Sequence, residues 1–347
     1  MIASSQPILP AEWAPQSAVM LTWPHEDMDC APYLAATEAV FVQIGRAVLR
    51  HEDLLVVVRD EAVAARVRAQ LGAAAPGRLH LAQAPSNDVW ARDHGPITIF
   101  HEGRPRLLDF RFNGWGGKFD SMLDDAITAT LHRGCLRNNA YAAVPIVLEG
   151  GAIEVDGQGC LLARESCLID ERRNPGWTRI EVTQALHDHL GIERIHWLRH
   201  GHLEGDDTDA HIDTLARFAD PRTIVFQACD DTADAHHPAL QAMAQELAQL
   251  RTTQGQPYRL IPLPWPQAIY DPDDGRRLPA SYANFLIING AVLLPVYGDA
   301  ADEIAGARLR EAFPSREIIL IDCRVLIRQS GSLHCVTMQL PQGLRID

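Results

Sequence analysis

The 347-residue sequence predicts an α/β fold, on three observations. Segments with apolar residues at three- and four-residue steps alternate with short apolar runs of strand length. No linker, low-complexity tract or charge block marks a boundary, so one compact domain spanning 1–347 is the simplest organisation. A short strand, a polar loop and a second strand also recur along the chain.

The helical pattern covers Tyr33–His51, Ala62–Leu71, Arg179–Leu190, Pro238–Leu250 and Asp302–Ala312. Strand-like runs fall at Ala18–Trp23, Leu54–Val58, Ile97–Phe100, Ile195–Leu198, Thr223–Phe226 and Glu317–Ile321. The longest apolar stretch, Phe285–Val296, contains Asn289-Gly290 and Pro295. It reads as two strands and a turn, not a bilayer span.

The recurrence is irregular in spacing. Arg78–Leu81 leads into NDVWARDHGPITIF, and Arg194–Leu198 into DDTDAHIDTLARF. Arg259–Leu263 leads to SYANFLIING, and Glu317–Ile321 to SGSLHCVTMQL. If these units are pseudo-equivalent, their loops converge on one central site.

Composition narrows the function. Lys plus Arg total 31 against 45 Asp plus Glu, a formal charge of −14. Nucleic-acid binding rests on neutralising phosphates with basic side chains, so this balance argues against such a partner. A cationic small molecule is the better match to an acidic field. The seven cysteines lack a C-x-x-C pair, which excludes a zinc ribbon and suggests a reducing compartment. The N-terminal residues lack the basic and apolar regions of a secretory signal, so the cytoplasm is the expected location, with no membrane partner.

Four segments carry candidate chemistry. His211 and Asp213 stand two apart, which in an extended chain places imidazole and carboxylate on one face. The pair suits proton transfer, metal ligation or an ordinary surface position. Cys335 follows Ser330-Gly331-Ser332-Leu333-His334, where small residues permit close approach to a thiol, although such a cysteine also fits a core strand. His334 would point to the opposite face of a strand and is a poor base for Cys335. Asn87, Trp90 and Asp93 lie in a polar loop suited to gripping a cation, or to a structural ion-pair cluster. Glu149 precedes Gly150-Gly151, a place for a turn that aims the acid inward or for an exposed hairpin. Trp115 sits in the flexible FNGWGGK loop.

Together LTWPHED, NDVWARDHGP, FNGWGGKFD, LEGGAIEVDGQG, TDAHIDTLARF, SYANFLIINGAVLLPVYGD and SLHCVTMQLP resemble the agmatine deiminase and bacterial-type peptidylarginine deiminase family, across nearly the whole chain. The resemblance implies a five-bladed pseudo-symmetric α/β propeller (pentein-like) and cysteine-dependent hydrolysis of a guanidinium group. It implies Cys335 as nucleophile, His211 as proton shuttle, Glu149 assisting, and Asp93 and Asp213 gripping the guanidinium nitrogens. Trp90, Asn87, Trp115, Asn284 and Gly331 are the expected substrate contacts. No metal or cofactor is required by that chemistry.

Agmatine is the expected substrate, giving N-carbamoylputrescine and ammonia. Glu204, Asp206 or Asp207 are candidate partners for its ammonium end. Arginine or peptidylarginine is the competitor, with Arg111 the candidate partner for a carboxylate; an amidinotransferase and a non-catalytic polyamine-binding protein are further alternatives. The sequence departs from the family pattern at Ser330–Leu333, where a longer glycine run is usual. It departs also at Ala210 and Thr214, where glycine and asparagine are usual. A homodimer is the common default for such a chain.

Overall fold

The computed structural model describes residues 6–72 and 75–347. Among the described residues sixteen strands form five small sheets. The first sheet holds β1 (Gln16–Thr22), β2 (Asp53–Val58) and β3 (Leu79–Gln83), together with the last strand, β16 (Thr337–Pro341). The others follow the chain in threes. They are β4 (Ile97–His101), β5 (Arg104–Arg111) and β6 (Ala140–Val147); then β7 (Ile153–Val155), β8 (Cys160–Arg164) and β9 (Arg194–Leu198). The fourth holds β10 (Ala216–Asp220), β11 (Thr223–Gln227) and β12 (Arg259–Leu263), and the fifth β13 (Leu286–Ile288), β14 (Ala291–Val296) and β15 (Glu317–Asp322).

One pairing rule runs through all five. The first strand pairs antiparallel with the second across a tight connection, and the second pairs parallel with the third. A parallel pair needs a crossover, and helices provide it: Arg179–Leu190 between β8 and β9, His237–Gln249 between β11 and β12, Ala301–Ala312 between β14 and β15. The first sheet obeys the same rule only because the chain end returns. β16 pairs antiparallel with β1, with Met338 opposite Met20, and β1 pairs parallel with β2 across the helix Leu34–Leu49. This is the five-bladed propeller, closed by joining the two ends of the chain.

Local sequence explains the elements. Thr178 and Glu181 form a reciprocal capping box at the start of Arg179–Leu190, and Gly191 ends that helix at φ +70°. Asn289-Gly290 is the two-residue turn between β13 and β14, both of which are almost wholly buried. Helix limits match the periodicity to within one or two residues. No helix among the described residues is long and apolar enough to cross a membrane.

The propeller has a functional consequence, because each passage from one blade to the next crosses the centre. Asp93 lies between β3 and β4, Glu149 between β6 and β7, and His211 and Asp213 between β9 and β10. Asn284 lies between β12 and β13, and Cys335 between β15 and β16. Every inter-blade loop contributes a polar residue to one place.

Candidate active site

Cys335 is 5% exposed and stands just before β16. Its thiol lies 3.7 Å from Asp213 Oδ2 and 3.4 Å from Asn284 Oδ1, and the Asn284 amide nitrogen donates to Sγ at 3.3 Å. Burial pushes the thiol well above its ordinary pKa, with Asp213 and Asp93 adding to the effect; the Ser332 backbone and Asn284 oppose it only in part. The ligand-free site therefore favours the thiol over the thiolate.

The acids differ in their surroundings. Asp93 Oδ1 accepts from the Gly151 backbone N–H at 2.9 Å, and its Oδ2 from the Trp115 indole at 3.0 Å. Burial nonetheless raises its pKa, and Asp213 and Glu149 push the same way against His211. Asp213 goes the other way: despite burial, the hydrogen bond and charge of His334 hold it below the usual range. Glu149 is also held low, burial being outweighed by His211 and by Arg173, whose Nε donates at 2.9 and 2.8 Å.

His211 sits between these carboxylates, Nδ1 3.6 Å from Asp93 and Nε2 3.5 Å from Glu149. Burial alone would lower its pKa. Asp93, Cys167 and Glu149 more than reverse that and hold it well above the ordinary value. A Cβ on Gly151 would lie 2.5 Å from His211 Nδ1 and 2.9 Å from Asp93 Oδ1, so only glycine lets these groups meet.

A cavity of about 260 Å³ opens over Cys335 and Asp93. Trp90, Trp115 and Gly331 line it near the thiol. Gly331 is there for space, since a Cβ would come within 2.2 Å of the Trp90 ring. Asp29, Asp88 and Asp207 also line it, with Arg276 and Arg328.

The structure thus gathers Cys335, His211, Glu149, Asp93, Asp213, Asn284, Trp90, Trp115 and Gly331 around one centre. Asn87 is different: its Oδ1 accepts from the Leu123 backbone at 2.8 Å, and it is not among the residues lining the cavity. Of the acids considered for a ligand's far end, Asp207 lines the cavity, while Asp206 accepts from the Thr208 hydroxyl and the Ala210 backbone. Glu204 lines a separate pocket beside His236. Arg111 is exposed and paired with Asp125 at 2.8 Å, away from the cavity lining.

Two local expectations need correction. His211 and Asp213 do not alternate on a strand, because Ile212–Thr214 forms a 3₁₀ turn. His334 likewise precedes β16 in a turn rather than lying within a strand.

Sequence reasoning did not single out Glu12, Arg217, Arg173 or Cys167. Glu12 accepts from Arg217 at 2.8 Å and lies 2.7 Å from His334 Nε2, while Arg217 also donates to Glu154 at 2.6 Å. Only the unusual burial of so many charges reveals this network, and burial is not written in local sequence.

The propeller and its central cysteine, histidine and acids define a protein of the pentein class, built around a guanidine-modifying type of site. The chain belongs to the Porphyromonas-type peptidyl-arginine deiminase family, whose profile matches residues 8–341. It is 34% identical to the agmatine deiminase of Stutzerimonas stutzeri (strain A1501), covering 96% of this chain and 95% of that protein. Among solved structures, one from Porphyromonas gingivalis provisionally named an arginine deiminase shares 49% identity with a TM-score of 0.90, covering 98% of this chain and 100% of that one. A substrate-bound agmatine deiminase from C. jejuni shares 36% identity, also with a TM-score of 0.90, covering 98% and 97%.

Proposed function

We propose that this chain is an agmatine deiminase that hydrolyses agmatine to N-carbamoylputrescine and ammonia in a single catalytic domain, working in the cytoplasm. One observation carries the substrate assignment: the cavity above Cys335 is lined by acids outside any ion pair, while both of its arginines are engaged. Among the described residues Asp29, Asp88 and Asp207 form no ion pair, since Lys118 Nζ reaches only the Asp207 carbonyl and pairs with Asp209 instead. Arg328 is held by Asp271 and Asp273, and Arg276 by Asp274 and the Arg328 carbonyl. An ammonium tail is matched there, and a carboxylate is not.

Asp93 and Asp213 flank the guanidinium and hold its carbon before Sγ, because planar N–H donors pair bidentately with carboxylates. Binding that cation offsets the two charges that suppress thiol ionisation, and the proton leaves to solvent. The thiolate adds to the guanidinium carbon. His211 in its imidazolium form gives a proton to the departing nitrogen, and ammonia leaves a thiouronium on Cys335. Neutral His211 then takes a proton from water as the oxygen adds, and collapse to the ureido carbonyl expels the thiolate while the hydroxyl proton passes to solvent. Glu149 holds the imidazole and stabilises its charged form.

The arginine-type reading keeps the same chemistry and has the P. gingivalis relative behind it. It would place the substrate carboxylate on Arg276 or Arg328, both of which line the cavity while shared with other acceptors. Turnover of agmatine, free arginine and arginyl peptides, followed as ammonia and ureido product, separates the two. Agmatine turnover far above the others is expected, and product from arginyl peptides without product from agmatine would overturn the substrate assignment.

A further inference from the structure

Beside the imidazole lies a cysteine that the hydrolytic steps do not use. Cys167, His211 and Glu149 are all buried, and their ligand atoms lie within 4.8 Å of one another. The ring nitrogens of His211 make only long contacts to carboxylates, 3.6 Å to Asp93 and 3.5 Å to Glu149, although the side chain is only 1% exposed. The Cys167 thiol makes a long contact, 3.7 Å, to the Thr208 carbonyl and lies close enough to His211 to help raise its pKa; Thr208 lines the substrate cavity.

We propose that Glu149, Cys167 and His211 form an inhibitory site for a thiophilic divalent cation such as Zn²⁺, which shuts the enzyme by capturing its proton shuttle rather than its nucleophile. A thiolate sulfur, an imidazole nitrogen and a carboxylate oxygen are each established zinc donors, and three protein ligands leave a fourth position open for water. The bonds of a zinc tetrahedron, about 2.0 to 2.3 Å, need donors spaced about 3.3 to 3.8 Å apart. His211 Nε2 and Glu149 Oε2 already stand at 3.5 Å, so the sulfur needs to move by about an ångström or less. Arg173 takes only part of the Glu149 carboxylate, which has about four acceptor positions. Coordination releases the thiol proton and the proton on the bound imidazole nitrogen to solvent, so the captured ring no longer delivers a proton to ammonia.

The test uses Cys335→Ala enzyme, which removes the competing nucleophilic thiol, titrated with Cd²⁺ and with Zn²⁺. One ion per chain is expected, with a cadmium–thiolate ultraviolet band and a zinc X-ray absorption shell containing one sulfur. The Cys335→Ala/Cys167→Ser double variant, its folding checked by circular dichroism, should lose the band and bind at least about tenfold more weakly. If that variant does not fold, the zinc shell of Cys335→Ala alone decides. A shell without sulfur, a band that survives loss of Cys167, or no binding by Cys335→Ala overturns the proposal. None of these readouts depends on which guanidinium compound the enzyme hydrolyses.

Discussion

His334 Nδ1 lies 2.7 Å from Asp213 Oδ2, and through its other nitrogen His334 reaches Glu12 at the same distance. The residue next to Cys335 in sequence thus serves the acid opposite it. His334→Leu leaves two buried carboxylates short of a partner, which should lower the free energy of unfolding by about 3 kcal/mol. Urea denaturation measures this, and an unchanged midpoint would show that the bridge is not stabilising.

Ligand affinity should vary with pH through two acids of the cavity lining. Burial, reinforced by neighbouring acids, pushes Asp88 up to about 7 and Asp207 up to about 6. Both are protonated in acid and become anionic as pH rises, whereas agmatine stays cationic. Agmatine binding to Cys335→Ala, measured calorimetrically, should tighten as pH rises from about 6 to about 7. Asp88→Asn should weaken it by about tenfold or more at neutral pH and flatten the pH profile.

Cys335 should ionise more easily when a cation sits between Asp93 and Asp213. Its raised pKa leaves little thiolate in the empty site at neutral pH. Thiolate absorbance, taken as the difference between native protein and Cys335→Ala, should appear at lower pH with an unreactive guanidinium analogue bound. A curve unmoved by saturating analogue would argue that ionisation does not depend on the substrate's charge.

Ala210 and Ser330 hold left-handed backbone conformations, at φ +68° and +67°. Glycine is the usual family residue before the histidine, and Ala210→Gly should relieve strain and stabilise the fold by about 1 kcal/mol. Chemical denaturation checks the sign. Ser330 differs in offering compensation, because its hydroxyl hydrogen-bonds with Asp207, so replacing it with glycine removes a contact as well as strain.

Much of this architecture was legible from the sequence because it is local. The helices Arg179–Leu190 and Ala301–Ala312, the Asn289-Gly290 turn and the strand–loop–strand units follow from periodicity and turn chemistry. The propeller itself, and the assembly of Cys335, His211, Glu149, Asp93 and Asp213, were expected through family motifs; spacing alone left each residue with an ordinary structural reading. What stayed hidden depends on contacts between distant blades. Glu12 and His334 are 322 positions apart, and Cys167 meets His211 only once the blades have packed together. Asn87 holds the Leu123 backbone, a role that a polar loop residue fills as readily as it meets a ligand.

The central claim is that Cys335 carries the substrate covalently. Rapid acid quenching during agmatine turnover, followed by mass spectrometry of the peptide containing Cys335, tests it most directly. The account predicts a mass gain equal to agmatine minus ammonia on that cysteine, appearing before product and absent from Cys335→Ala. No adduct at any time, with undiminished turnover by Cys335→Ala, would contradict it.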